Sequence, residues 1–217
     1  FEVGKTFFKE GPTARESARL GFVLTGKERD YFWREKLPEA DFFDAKGVFE
    51  GLLERFGLQV SVLPSREPFL KAGVSADLFA GDRKLGWVGE LDEAVCKRFD
   101  VEGKVFAGEM DLDFLIASGV RTPSYRPIPR YPSVTRDFSF LVDEAIPVAS
   151  LIDKIRAVSP LIVSVGVFDM FKKDGRSVAF RVVFQSFEET LRDEEVSAVQ
   201  QKIIAELTAL QGVKLRS

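Results

Sequence analysis

Histidine is absent from the 217 residues, which removes the commonest general base near neutral pH and the imidazole ligands of most zinc sites. Carboxylates and lysines could still move protons, so this absence weakens a catalytic reading without closing it. Cysteine is nearly absent too. Cys96 stands alone, so no intrachain disulfide can form, and a reducing, cytoplasmic setting is expected. It falls in a predicted helix over 91–99, where a buried structural thiol is the expected role. Long apolar runs are missing: no stretch approaches the roughly 20 residues needed to cross a bilayer, so no membrane partner is expected. Strong charge is missing as well. The net charge of −3 provides no global basic field, so any contact with nucleic acid must be local. The first residues, Phe1-Glu2-Val3-Gly4-Lys5, lack an initiator Met and the order of a signal peptide, and read as a cut inside a longer chain.

What is present suits a soluble globular protein: 45% apolar and 30% charged residues, enough to build a core. The length predicts two domains. The sharpest boundary signal is 121–132, RTPSYRPIPRYP, which sets four prolines among arginines. Proline removes backbone donors and holds its predecessor extended, so a stiff connector is expected. The predicted division is 1–121, a linker over 122–132, and 133–217. From Arg126 onward there are 13 Lys and Arg against 12 Asp and Glu, leaving 18 against 22 before it. Positive charge is thus mildly concentrated toward the second half.

In the first half, residues 18–25, 58–63, 74–79, 84–90 and 105–112 have strand-like length and β-branched or aromatic content. Between the first two, Val48, Leu52, Leu53 and Phe56 recur at helical spacing over 43–56, with Gly57 as the cap. Strands close in sequence with few crossover helices predict a mainly antiparallel sheet. Gly81, Gly86 and Gly89 are read as turn or close-packing glycines.

The second half predicts a strand over 137–142, then a helix opened by Pro147 with Val148, Leu151, Ile152, Ile155 and Val158 on one face. Strands over 162–171 and 177–185 follow, joined through Lys172-Lys173-Asp174-Gly175, whose Asp-Gly favours a hairpin turn. Asp193-Glu194-Glu195 opens a second helix with Val196, Val199, Ile203, Leu207 and Leu210 along one face. Gly212 ends it before a last short strand. The order βαββαβ, with both helices on one sheet face, is the ferredoxin-like topology, and the overall class is α+β.

Period-two alternation splits each strand into a covered and an open side. On the first, Phe138, Phe140 and Val142 turn inward and Asp137, Ser139 and Leu141 outward. On the second, Phe168 and Met170 are expected inward and Val165, Val167, Asp169 and Phe171 outward. On the third, Val178, Phe180, Val182 and Phe184 turn inward and Ser177, Ala179, Arg181, Val183 and Gln185 outward. The open set joins an aromatic ring, an arginine, a carboxylate and small hydroxyls, a combination able to stack on an unpaired base and bond to its edges. Two plainer readings stand beside this one: a neighbouring domain covers Phe171, and Arg181 pairs with Asp169.

Four strings appear in order with fitting gaps: YPSVTRD (131–137), VFDMF (167–171), the run 177–184, and TLRDEEV (190–196). Together they resemble the anticodon-binding domain of the bacterial-type phenylalanyl-tRNA synthetase beta subunit. In the first half FEVGKTF (1–7), DFFDAKGVFEGLL (41–53), KLGWVGEL (84–91) and FAGEMDLDFL (106–115) resemble that family's catalytic-like module. The resemblance implies a class II synthetase-like antiparallel sheet with helices, lacking an active site, followed by the ferredoxin-like domain. It further implies an alpha subunit partner in an alpha2–beta2 heterotetramer, tRNA(Phe) as ligand, and a cytoplasmic location. No cofactor and no catalytic or metal residue is expected in this segment; ATP and Mg2+ belong to the full complex, where the alpha subunit carries the ligase reaction. The chain contains no Gly-x-Gly-x-x-x-Arg string and no P-loop, which agrees with a lost active site. Where the family commonly shows His-Pro after Gly-Glu-Leu, this chain has Asp92-Glu93.

The resemblance places the tRNA anticodon against positions matching Ser139, Asp169, Phe171 and Ser177, and Arg181 joins them from the alternation. Phe171 stands where relatives can carry tyrosine, so base stacking is retained without a hydroxyl contact. Other readings are a ferredoxin-like protein-interaction or small-ligand module without RNA binding, and an enzyme using Asp111 and Asp113 on one strand face as acid and base.

Overall fold

The computed structural model describes residues 1–27, 38–125, 127–172 and 175–216. The chain divides into two compact units, Phe1–Ser124 and Tyr125–Ser217.

The first unit is a six-stranded antiparallel sheet in the order β1-β2-β6-β5-β4-β3. Its strands are β1 (Glu2–Glu10), β2 (Thr13–Thr25), β3 (Ser61–Pro64), β4 (Leu70–Ala80), β5 (Arg83–Leu91) and β6 (Val105–Asp111). Three helices accompany them: α1 (Phe42–Phe56), α2 (Glu93–Arg98) and α3 (Leu112–Ser118). The predicted antiparallel sheet with helices is the observed one, with one strand more at its edge. β1 has almost no buried residue, so it carries little of the periodicity that marks a strand.

Helix α1 starts where its sequence supplies a reciprocal cap. The Asp41 carboxylate accepts from the Phe43 and Asp44 N–H groups, while Asp44 accepts from the Asp41 N–H, which satisfies otherwise orphaned donors of the first turn. It ends at Gly57, whose φ of 66° suits a residue without Cβ. The buried stripe is Ala45, Phe49 and Leu53, one residue out of phase with the predicted one. Val48 is 50% exposed, and Leu52 and Phe56 flank the core. Phe49 fits because the sheet leaves it a notch. A Cβ on Gly108 would lie 2.5 Å from the Phe49 ring, and Phe22 on β2 meets that ring edge-on with centroids 4.9 Å apart. Cys96 is buried in α2 as expected.

The second unit contains β7 (Val134–Val142), α4 (Val148–Ala157), β8 (Ile162–Lys172), β9 (Arg176–Phe184), α5 (Asp193–Thr208) and β10 (Val213–Leu215). Its sheet runs β10-β7-β9-β8, antiparallel throughout. This is the ferredoxin-like βαββαβ arrangement. Phe138, Phe140, Val178, Phe180, Val182 and Phe184 form a core with Leu151 and Ile155 of α4 and Val196, Ile203 and Leu207 of α5. One face is therefore covered by the helices and the other is left open within the unit. The Asp-Gly turn expected between β8 and β9 falls on Lys173 and Asp174, outside the described residues.

Candidate nucleic-acid interface

Strand pairing builds the open face row by row, because residues directly opposite one another in antiparallel strands share a side. Ser139, Ala179 and Asp169 make one row across β7, β9 and β8; Leu141, Ser177 and Phe171 make the next; Asp137, Arg181 and Gly166 make a third. All five residues singled out in the sequence, Ser139, Asp169, Phe171, Ser177 and Arg181, thus sit on one side of the sheet.

The inward and outward sets predicted for β8 need correction. Register shifts between Ile162 and Ser164 and between Val167 and Asp169 mark two bulges, and each extra residue reverses the alternation beyond it. Val165, expected outward, pairs with core residue Val182 and is 6% exposed. Val167, also expected outward, pairs with core residue Phe180 and so shares the helix side of the sheet, yet it remains 41% exposed. Phe168, expected inward, occupies the second bulge and is 50% exposed. The Arg181 guanidinium lies over its ring, 4.7 Å from the centroid, which puts the ring beside the open face. Beyond this bulge Asp169 and Phe171 return to the predicted side.

The side chains differ in how far they are available. The Phe171 ring is 54% exposed and offers a flat apolar surface. Asp169 is half-buried and accepts from the Met170 N–H at 2.8 Å, which leaves the rest of its acceptor capacity unused by described protein groups. Ser177 is 3% exposed: its hydroxyl lies 3.2 Å from that of Ser139 and accepts from Arg216 Nη1 at 3.0 Å. Arg181 pairs with Asp137 and not with Asp169. Nε and Nη2 donate to the two Asp137 oxygens at 2.9 and 2.7 Å. These hydrogen bonds hold the Asp137 carboxyl below the usual carboxylate range and raise the Arg181 guanidinium above its own.

Asp137, Phe168 and Arg216 lie outside the five residues that the sequence singles out. Arg216 lies two residues past Lys214, which pairs with Leu141, so alternation carried on beyond β10 places it on the same side. Phe168 gave no signal, since a bulge has no period.

Asp111 and Asp113 do not share a strand face. Asp111 ends β6 and caps α3, accepting from the Phe114 N–H at 3.1 Å and Arg83 Nη2 at 2.9 Å, while Asp113 lies inside α3 and accepts from the Ala18 N–H at 2.9 Å. Burial pushes the Asp111 carboxyl up, but the Phe114 and Arg83 hydrogen bonds outweigh it and the net shift is downward. A carboxylate held ionised and fully engaged is a structural anchor and a poor general acid. Glu90, in the Gly-x-x-Gly-Glu-Leu string, is similarly occupied by Lys71 at 2.7 Å.

The sequence matches two family models. Residues 1–112 match the phenylalanyl tRNA synthetase beta chain CLM domain, and residues 129–216 match the ferredoxin-fold anticodon binding domain. The chain belongs to the phenylalanyl-tRNA synthetase beta-chain family. Along its whole length this beta-chain segment is 34% identical to the phenylalanine--tRNA ligase beta subunit of Geobacillus kaustophilus and 36% identical to that of Gloeobacter violaceus, covering 28% of each. The corresponding subunit of Thermotoga maritima is 31% identical, with 28% of it covered. The segment therefore spans under a third of the length of these relatives. Among solved structures, a pyrrolysyl tRNA synthetase from Desulfitobacterium hafniense aligns with 57% of this chain and 45% of its own at 17% identity and a TM-score of 0.39, too distant to bear on the fold.

Proposed function

We propose that this chain is the C-terminal part of a phenylalanine–tRNA ligase beta subunit, in which the second unit holds the tRNA(Phe) anticodon and the first scaffolds the alpha–beta assembly. The observation that carries the reading is the open sheet face, where Phe171 stands beside Asp169 and the Ser139–Ser177 hydroxyl pair. Anticodon bases are unpaired, so their π faces and edges are free. Phe171 stacks on one of them, and Asp169 accepts a hydrogen bond from an amino or imino edge such as that of guanine.

This segment supplies no chemistry of its own. ATP, Mg2+ and phenylalanine meet in the alpha subunit, in the cytoplasm, and the contribution made here is positional. Binding energy gained at the remote anticodon fixes the acceptor end where the reaction occurs, reducing the entropy cost of reaching the transition state. The first unit supports that geometry with Asp111 and Glu90 committed to its own architecture.

The test is a filter-binding comparison, in the assembled complex, between tRNA(Phe) and the same tRNA carrying another anticodon. Weaker binding of the exchanged tRNA supports the reading. Equal binding would instead favour a protein-interaction or small-ligand module on the same topology.

A further inference from the structure

Arg181, Asp137 and Phe168 form a layered group at the row beyond Asp169. Arg181 is bonded to Asp137 through two parallel hydrogen bonds of 2.9 and 2.7 Å. Such a fork fixes the plane of the guanidinium and neutralises its charge. The same guanidinium lies 4.7 Å from the centre of the Phe168 ring, within the range of a cation–π contact. Phe168 reaches this position only because the bulge between Val167 and Asp169 inserts it into β8 out of alternation. The Arg181 side chain nevertheless remains 52% exposed.

A phosphate clamp draws on a full guanidinium charge, and here Asp137 takes two of the five N–H donors and offsets that charge. What Phe168 adds is a flat guanidinium surface backed by an aromatic ring. We propose that Arg181, backed by Phe168 and pinned by Asp137, is a second base-stacking plate that takes an unpaired nucleotide of the RNA held on Phe171. The proposal rests on the anticodon reading above and assigns Arg181 a contact with a base face in place of a backbone contact.

The spacing suits such a role. Along β9, Ser177 marks the Phe171 row and Arg181 its own. Four residues of strand span roughly 13 Å, far enough for the two plates to hold different nucleotides of one single-stranded segment. Lysine cannot replace this arginine: its ammonium has no plane to stack and makes no two-pronged bond to Asp137.

The experiment measures the affinity of an anticodon stem–loop RNA for the full-length beta subunit in complex with its alpha partner, across a salt series, for Arg181→Ala, Arg181→Lys, Phe168→Ala and Phe171→Ala. Circular dichroism melts confirm that each variant is folded. Arg181→Ala, Arg181→Lys and Phe168→Ala should each weaken binding by about 5- to 150-fold, the range of one lost base stack, with the slope of log affinity against log salt unchanged. With abasic substitutions scanned through the loop, one position other than that stacked on Phe171 should weaken wild-type binding and have no further effect on Arg181→Ala. The proposal is overturned if Arg181→Lys binds like wild type, or if Arg181→Ala lowers the salt slope by about one, the mark of a lost phosphate contact. It is also overturned if only Phe171→Ala binds weakly, which leaves the anticodon reading intact. If Phe171→Ala binds like wild type as well, the anticodon reading itself fails.

Discussion

Arg216 reaches from beyond β10 to the Ser177 hydroxyl, donating through Nη1 at 3.0 Å, while its own backbone N–H donates to the Ser139 carbonyl at 2.8 Å. One residue thus closes the end of the sheet and covers a hydroxyl that the topology places on the open face. Removing its side chain by Arg216→Ala deletes a charge-assisted hydrogen bond and should cost about 1.5 kcal/mol of stability, read as a lowered urea midpoint with unchanged m-value.

Under the proposed function, the same cover sets an order among contributions to RNA binding. Phe171 is accessible and Ser177 is not, so Ser177→Ala should leave tRNA affinity within about twofold while Phe171→Ala removes about 1–3 kcal/mol. Titration of both variants in the assembled complex checks the order. An equal or larger loss for Ser177→Ala would mean that Arg216 moves aside on binding.

The Arg181–Asp137 pair predicts a pH dependence. Hydrogen bonding from Arg181 depresses the Asp137 pKa below its unfolded value of about 3.9. A depressed carboxyl stabilises the fold above the unfolded pKa, and that stabilisation is lost as pH falls through the folded pKa. Asp137→Asn should therefore be less stable than wild type at pH 7, and the gap should narrow as pH falls below the unfolded carboxyl value of about 3.9 toward the depressed folded one. A gap between their urea midpoints that stays constant as pH falls below about 3.9 would rule out this linkage.

Close packing in the first unit gives a further prediction. A Cβ on Gly86 would stand 2.1 Å from the Glu109 carbonyl oxygen and 2.9 Å from Met110 Cα; both are backbone atoms of β6, which cannot move without opening the sheet. Gly86→Ala should cost about 3 kcal/mol. Gly81, at φ 57° with open space around it, should cost only about 1 kcal/mol on the same change. Denaturant unfolding of the two variants checks the difference.

The second unit is legible in the sequence wherever an element keeps one period. Val196, Val199, Ile203 and Leu207 keep helical spacing and are all buried, and Phe138, Phe140 and Val142 keep strand spacing and are all buried. β8 was misread at Val165, Val167 and Phe168 because two bulges interrupt its alternation, and no residue type announces a bulge in this strand. The α1 stripe was misphased because Ala45, its first buried member, is too small to register as a hydrophobic marker beside Val48. Residues 112–118 carry leucine and phenylalanine of either propensity, so the sequence alone does not mark α3, which is set by the Asp111 cap. At the interface, alternation brought out Asp169, Phe171 and Ser177, but the choice of Asp137 over Asp169 as the partner of Arg181 depends on a register that only pairing supplies.

The most direct test of the central claim is a double-mutant cycle across the interface: wild type and Phe171→Ala, each against tRNA(Phe) and against tRNA(Phe) with its first anticodon nucleotide made abasic. Binding in the assembled complex should fall by about 1–3 kcal/mol for either change alone and by little more for both together. Fully additive losses, or none from Phe171→Ala, would contradict an anticodon base stacked on Phe171.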